Sequence, residues 1–139
     1  MLATLGVSAC GPPDNIHSTP YILDVTEAEV VETLPGRDVT KAHMIILGGE
    51  EDAVLVRASS PRLSAVEIHE TTRTNSGIAG MRRLDELPIP ARERVYLEEG
   101  GLHLMLFGVD EGELDGGLPL TLEFRPGGER EVLLETVPR

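Results

Sequence analysis

Hydrophobic and polar positions alternate along much of this chain with the period of two that marks a half-buried β-strand. Leu102, Leu104 and Leu106 interleave with His103, Met105 and Phe107. Successive side chains of a strand leave opposite faces, so the leucines take the core and His103 and Met105 share the outer face. The same parity in Val66-Glu67-Ile68-His69-Glu70 turns Val66 and Ile68 inward and Glu67 and His69 outward. Short β-prone runs recur at residues 21–25, 29–33, 43–47, 53–57, 94–97, 118–124 and 131–137, separated by Gly, Pro and Asn turn signals. Residues 71–80 are rich in turn formers. Asn75-Ser76-Gly77 tolerates the positive φ a hairpin needs, so the chain returns as a strand that starts near Met81 and runs close to His69. Pro88 and Pro90 have no N–H to give a ladder, which sends that segment to an edge or a crossover. No stretch keeps a helical period of useful length. About eight or nine short strands with close turns predict an all-β fold, a Greek-key sandwich or barrel.

At 139 residues the chain suits one domain with a genuine core. Aromatic residues make up only 3%, so aliphatic side chains must do most of the packing. A net charge of −12 argues against nucleic acid or an anionic membrane surface as a partner, since both would repel it. The only cysteine, Cys10, follows an apolar start, and Val7-Ser8-Ala9-Cys10 has the form of a lipobox whose Cys is acylated. Residues 1–10 therefore read as a truncated lipoprotein-type signal segment lacking its basic part. Residues 11–22, with several prolines and His17, read as a linker, and 23–139 as the folded domain. No segment approaches the eighteen apolar residues of a membrane span.

The chemistry gathers on four side chains, His69, Met81, His103 and Met105. Thioether sulfur is a soft ligand and imidazole an adaptable one, and together they favour Cu(I) over Zn(II), Mg(II) or Ca(II). Neither carries charge, and outside the cytoplasm a methionine outlasts a cysteine as a soft donor. Met44, in a central strand candidate, reads as a core residue. The acidic run 110–117 lacks the oxygen spacing of a calcium loop and reads as a solvated turn.

The spacing of these residues resembles the signature of the bacterial periplasmic copper chaperones of the PCuAC family: a His, ten residues, a Met, twenty-one residues, then His-x-Met. Here eleven residues separate His69 from Met81, and twenty-one separate Met81 from His103-Leu104-Met105. The segments Ala58-Ser59-Ser60-Pro61, Leu87-Pro88-Ile89-Pro90-Ala91, residues 100–106 and residues 118–124 are similar to the family's framework, and the likeness spans residues 25–137. In the family the position of His43 is typically aromatic, so the resemblance implies a packed or edge substitute there and not a ligand.

The resemblance implies a cupredoxin-like sandwich and a monomeric, extracytoplasmic carrier, anchored where Cys10 is lipidated. It also implies one exposed, shallow Cu(I) site on His69, Met81, His103 and Met105. The implied recipient is the copper centre of cytochrome c oxidase or its assembly partners. The competing class is a metal-free β-sandwich interaction lipoprotein. An enzyme is disfavoured, because the chain has no Gly-x-Ser-x-Gly, no paired Cys and no phosphate loop. A blue copper electron carrier would need a Cys thiolate inside the domain, where there is none.

Overall fold

The structure, a computed structural model, describes residues 20–110, 112 and 114–139. Expectations for Cys10, the signal segment, His17 and most of the linker fall outside these residues. So do Glu111 and Glu113 of the acidic run, whose described remainder is a turn.

Ten strands make up the described chain: β1 (Asp24–Val31), β2 (Val39–Leu47), β3 (Ala53–Ser59), β4 (Ala65–Arg73), β5 (Ala79–Leu84), β6 (Leu87–Ile89), β7 (Arg94–Leu97), β8 (Leu102–Phe107), β9 (Leu118–Arg125) and β10 (Gly128–Val137). They join in the order β5-β4-β8-β7-β2-β1-β10-β9-β3-β6, with β2 also pairing β8. The ladder folds over on itself at the parallel β1–β10 pair. It thereby forms the two walls of a cupredoxin-like all-β sandwich, with one or two more strands than the turn signals predict.

Alternation builds the interior. Along β9, Leu118, Leu120, Leu122 and Phe124 are buried and the residues between them are half-exposed. Along β2, Thr40, Ala42, Met44 and Ile46 point inward, so Met44 is a core residue as expected. Leu104, Leu106 and Ile68 complete the facing wall. Each fully buried aliphatic side chain of this kind contributes about 1.5–3 kcal/mol. Thr40, the buried polar residue among them, donates its hydroxyl to the Val31 carbonyl.

Two local irregularities escape a parity reading. The runs at 21–25 and 29–33 are expected as separate strands, whereas β1 is a single strand that shifts register between Thr26 and Glu29, with Glu27 at φ 50°. In β3 the register shifts between Leu55 and Arg57, which is why Ala58 and not Arg57 returns to the core. Both are β-bulges, in which one extra residue resets the faces. Strand β6 pairs only β3, with Pro88 opposite Val54, so the proline segment does lie at an edge. Strand β8 ends at Gly108, whose φ of +77° and contact with Ser64 leave no room for a side chain. There the Phe107 carbonyl accepts the Ser64 N–H at 2.9 Å, which ties the end of β8 to the start of β4.

Candidate metal centre

Strand β8 runs between β4 and the first half of β2, antiparallel to both. The pairing puts His69 directly opposite His103 and Glu67 opposite Met105, and on the other side Lys41 opposite Met105. All five side chains face away from the core leucines, as parity requires. The two imidazole ring centres are 5.8 Å apart, and the Phe107 ring lies 6.5 Å from His69 on the same face.

Beyond Ala42, whose partner is Leu104, β2 leaves β8 and joins β7 at Met44, opposite Leu97. His43 sits at that fork. The burial pattern of β2 places it with Lys41 on the outer face, and continuing the Lys41–Met105 and Ala42–Leu104 register brings it level with His103.

Each imidazole of the central pair has one nitrogen engaged and one left over. His103 Nδ1 is 3.1 Å from the Gly101 carbonyl, which can only accept, so Nδ1 carries the proton and Nε2 presents its lone pair. The same carbonyl accepts the Thr71 N–H at 3.1 Å, so the β4–β8 ladder fixes the acceptor that orients the ring. On His69, Nε2 lies 2.8 Å from a carboxylate oxygen of Glu67, which likewise assigns that proton and frees Nδ1. Among the described residues, three buried side-chain nitrogens lack a partner: His69 Nδ1, His103 Nε2 and His43 Nε2. A carboxylate or carbonyl behind one ring nitrogen and a bare lone pair on the other is the arrangement in which metal-bound histidines are held.

Charges frame the row. Glu67 also faces Arg83, at 3.8 Å. Glu99, in the β7–β8 turn, pairs with Lys41 at 3.1 Å and lies 3.7 Å from His43 Nε2, too far for a hydrogen bond. The Lys41 hydrogen bond holds the Glu99 carboxyl below its ordinary range. Burial pushes the His103 pKa below the ordinary 6.5, a shift the Gly101 bond partly opposes. A buried imidazole with a lowered pKa is neutral at physiological pH and therefore able to ligate.

The expected four-residue set is only partly assembled. His69 and His103 are direct cross-strand partners, and Met105 is two residues from His103 on the same face. Met81 lies on β5 opposite Thr71, while His69 faces Arg83. It is therefore a diagonal neighbour of His69, about 7–8 Å away between backbones, and is 48% exposed. The returning strand begins at Ala79, two residues before the expected start near Met81.

The expectation of an exposed, shallow site fails at its centre, since His103 is 1% exposed. Parity gives the face of a side chain and not its depth. On a middle strand, neighbours on both sides close over an outward ring. The sequence marks His43 as a packed or edge residue, and only the β2–β8 pairing brings it beside the others. As placed, no three His, Cys, Asp or Glu side chains among the described residues converge on one point.

Comparison with known proteins bears on the family and the fold. The family model of LpqE-like lipoproteins matches residues 23–136. A protein of Leifsonia xyli subsp. xyli named as a lipoprotein, Lxx21020, is 31% identical over 86 residues, which is 60% of this chain and 51% of that protein. The chain thus spans about half the length of this curated relative. Among solved structures, the copper-bound PCuAC domain of PmoF2 superposes with a TM-score of 0.68 at 18% identity, over 86% of this chain and 98% of that one. The Cu(I) form of DR1885 from Deinococcus radiodurans superposes with a TM-score of 0.66 at 26% identity, over 87% of this chain and 82% of that one. The resemblance to PCuAC domains drawn from the sequence is thereby borne out, as is the cupredoxin-like all-β fold.

Proposed function

The chain belongs to the LpqE-like lipoprotein family, and on that premise we propose that it is an extracytoplasmic copper chaperone. It binds Cu(I) through His69, His103 and Met105, with Met81 as an exposed fourth donor, and hands the ion to a copper-receiving protein such as the copper centre of cytochrome c oxidase. Cys10 is the proposed lipid anchor, and the working form is a monomer. The carrying observation is the pair of cross-strand imidazoles, each with one nitrogen held by a carbonyl or carboxylate and the other buried without a partner. An unmade hydrogen bond of that kind costs about 1–3 kcal/mol. Two side by side are tolerated where a cargo supplies the missing bond.

The donor chemistry fits the cargo. Two neutral imidazoles and one or two thioethers suit Cu(I) and offer little to hard cations. Glu67 and the Gly101 carbonyl keep the rings in the ligating tautomer, so the chain orients its donors before the ion arrives. Release needs no redox step. Met81, on an exposed strand at the edge of the sheet, is the donor a partner's ligand displaces first, and exchange then proceeds one bond at a time. The acidic surface, with Glu67 and Glu99 on either flank of the histidines, draws in cations and basic partners.

The test is a Cu(I) titration of the full chain against a chromogenic chelator under anaerobic conditions. One equivalent retained by the wild type and lost in the His103 and Met105 variants supports the reading. No retained copper refutes it and leaves a metal-free interaction lipoprotein.

A further inference from the structure

We propose that His43 belongs to the same centre, and that His43, His69 and His103 together hold Cu(II), so that one face accepts copper in either oxidation state. The inference rests on the copper-carrier reading and extends it to a residue and an ion that reading does not include.

The three histidines come from three strands that are neighbours in space and far apart in sequence. His69 and His103 are register partners. His43 follows Ala42, and His103 precedes Leu104, in the last β2–β8 pair, so His43 flanks His103 on the side away from His69. All three carry a buried ring nitrogen without a hydrogen-bond partner. That coincidence argues against packing alone, because an apolar ring would fill the His43 position without stranding a nitrogen at a cost of about 1–3 kcal/mol.

The chemistry separates the two ions. Cu(II) favours tetragonal sets of nitrogen and oxygen donors, whereas thioethers select Cu(I). Three imidazoles in one row supply the first preference. Met105, two residues along from His103 on the same face, supplies the second. As placed, the rings do not converge on a single point. Binding Cu(II) requires His43 to swing away from Glu99, which it faces at 3.7 Å without a hydrogen bond. No bond has to break for that rotation, and Glu99 keeps its Lys41 partner.

The test uses the full chain and three probes: Cu(II) affinity by competition with a chelator, the electron paramagnetic resonance spectrum of the Cu(II) form, and Cu(I) affinity. The variant is His43→Phe, which keeps a ring in the position and removes its nitrogens, with His43→Gln as the alternative should the first misfold. Expected are a loss of at least about tenfold in Cu(II) affinity, since even supporting partners of a ligand are worth that much, fewer nitrogen couplings in the spectrum, and Cu(I) affinity within about twofold of wild type. Unchanged Cu(II) affinity and spectrum would exclude His43. Equal losses for both ions would mark it as structural and overturn the proposal, as would a wild type that binds no Cu(II). Cu(I) binding by the wild type reports on the carrier reading alone, so the two can fail separately.

Discussion

Replacing His103 with leucine should leave the apoprotein more stable than the wild type while abolishing copper binding. The ring is 1% exposed and its Nε2 is unpaired, a condition that costs about 1–3 kcal/mol. The bond from Nδ1 to Gly101 contributes about 0.5–1.5 kcal/mol in the other direction. Leucine forgoes both. The Gly101 carbonyl keeps the Thr71 N–H as donor, so no acceptor is stranded by the change. The balance favours leucine by about 1 kcal/mol, a rise of about 3–6 °C in apoprotein Tm for a domain of this size. With no tryptophan in the chain, far-UV circular dichroism is the suitable probe for thermal and urea melts.

A second arm comes from pH. In the folded wild type, burial holds the His103 pKa below 6.5, while the unfolded chain titrates near that value. The unfolded state therefore binds more protons, and stability falls as pH drops below about 6.5 until the folded pKa is passed. The leucine variant lacks this loss, so its advantage should widen from about pH 7.5 to about pH 5. A variant less stable than wild type by more than about 1 kcal/mol at neutral pH, or a gap that does not widen in acid, would refute the claim that this imidazole is held against its own folding preference.

Met105→Leu keeps volume and removes sulfur, so Cu(I) affinity should drop with little change in Tm. Met81→Leu should cost less, because Met81 stands diagonal to His69 at an exposed edge; equal losses in the two titrations would put Met81 at the centre. Glu67→Ala frees His69 Nε2 from its acceptor and should weaken Cu(I) binding about 10–100-fold, as read by chelator competition. Copper retention followed across pH should weaken for His103 only below the ordinary 6.5, since burial delays its protonation; retention unchanged at the lowest pH at which the protein stays folded would count against histidine ligation. Leu122→Ala, at a fully buried position of β9, should cost about 2–5 kcal/mol in urea unfolding and leave Cu(I) stoichiometry intact.

The strands that carry the donors were legible because local alternation controls them. The leucine period of 102–106 marks β8 over its whole length, and Asn75-Ser76-Gly77 sits in the β4–β5 turn, where Thr74 accepts the Gly77 N–H at 2.9 Å. Bulges were not legible, since the extra residue near Glu27 has no signature beyond an ordinary polar run. Contacts across the sheet were not legible either. His43 and His103 are brought together by strand pairing over sixty positions, and the depth of His103 comes from flanking strands that no window of its own sequence contains. The position of Met81 diagonal to His69 is fixed by the β4–β5 register, which a spacing rule leaves open.

The histidine row is drawn from β2, β4 and β8, each separated from the next by other strands in the chain. In an extended polypeptide these imidazoles are far from one another, and they become neighbours only when both the β4–β8 and the β2–β8 ladders have closed. A site built on them is therefore a product of the finished fold and of no local segment. An ion bound across them would tie together segments that are not consecutive in the chain, and its binding free energy would add to the stability of the folded sandwich.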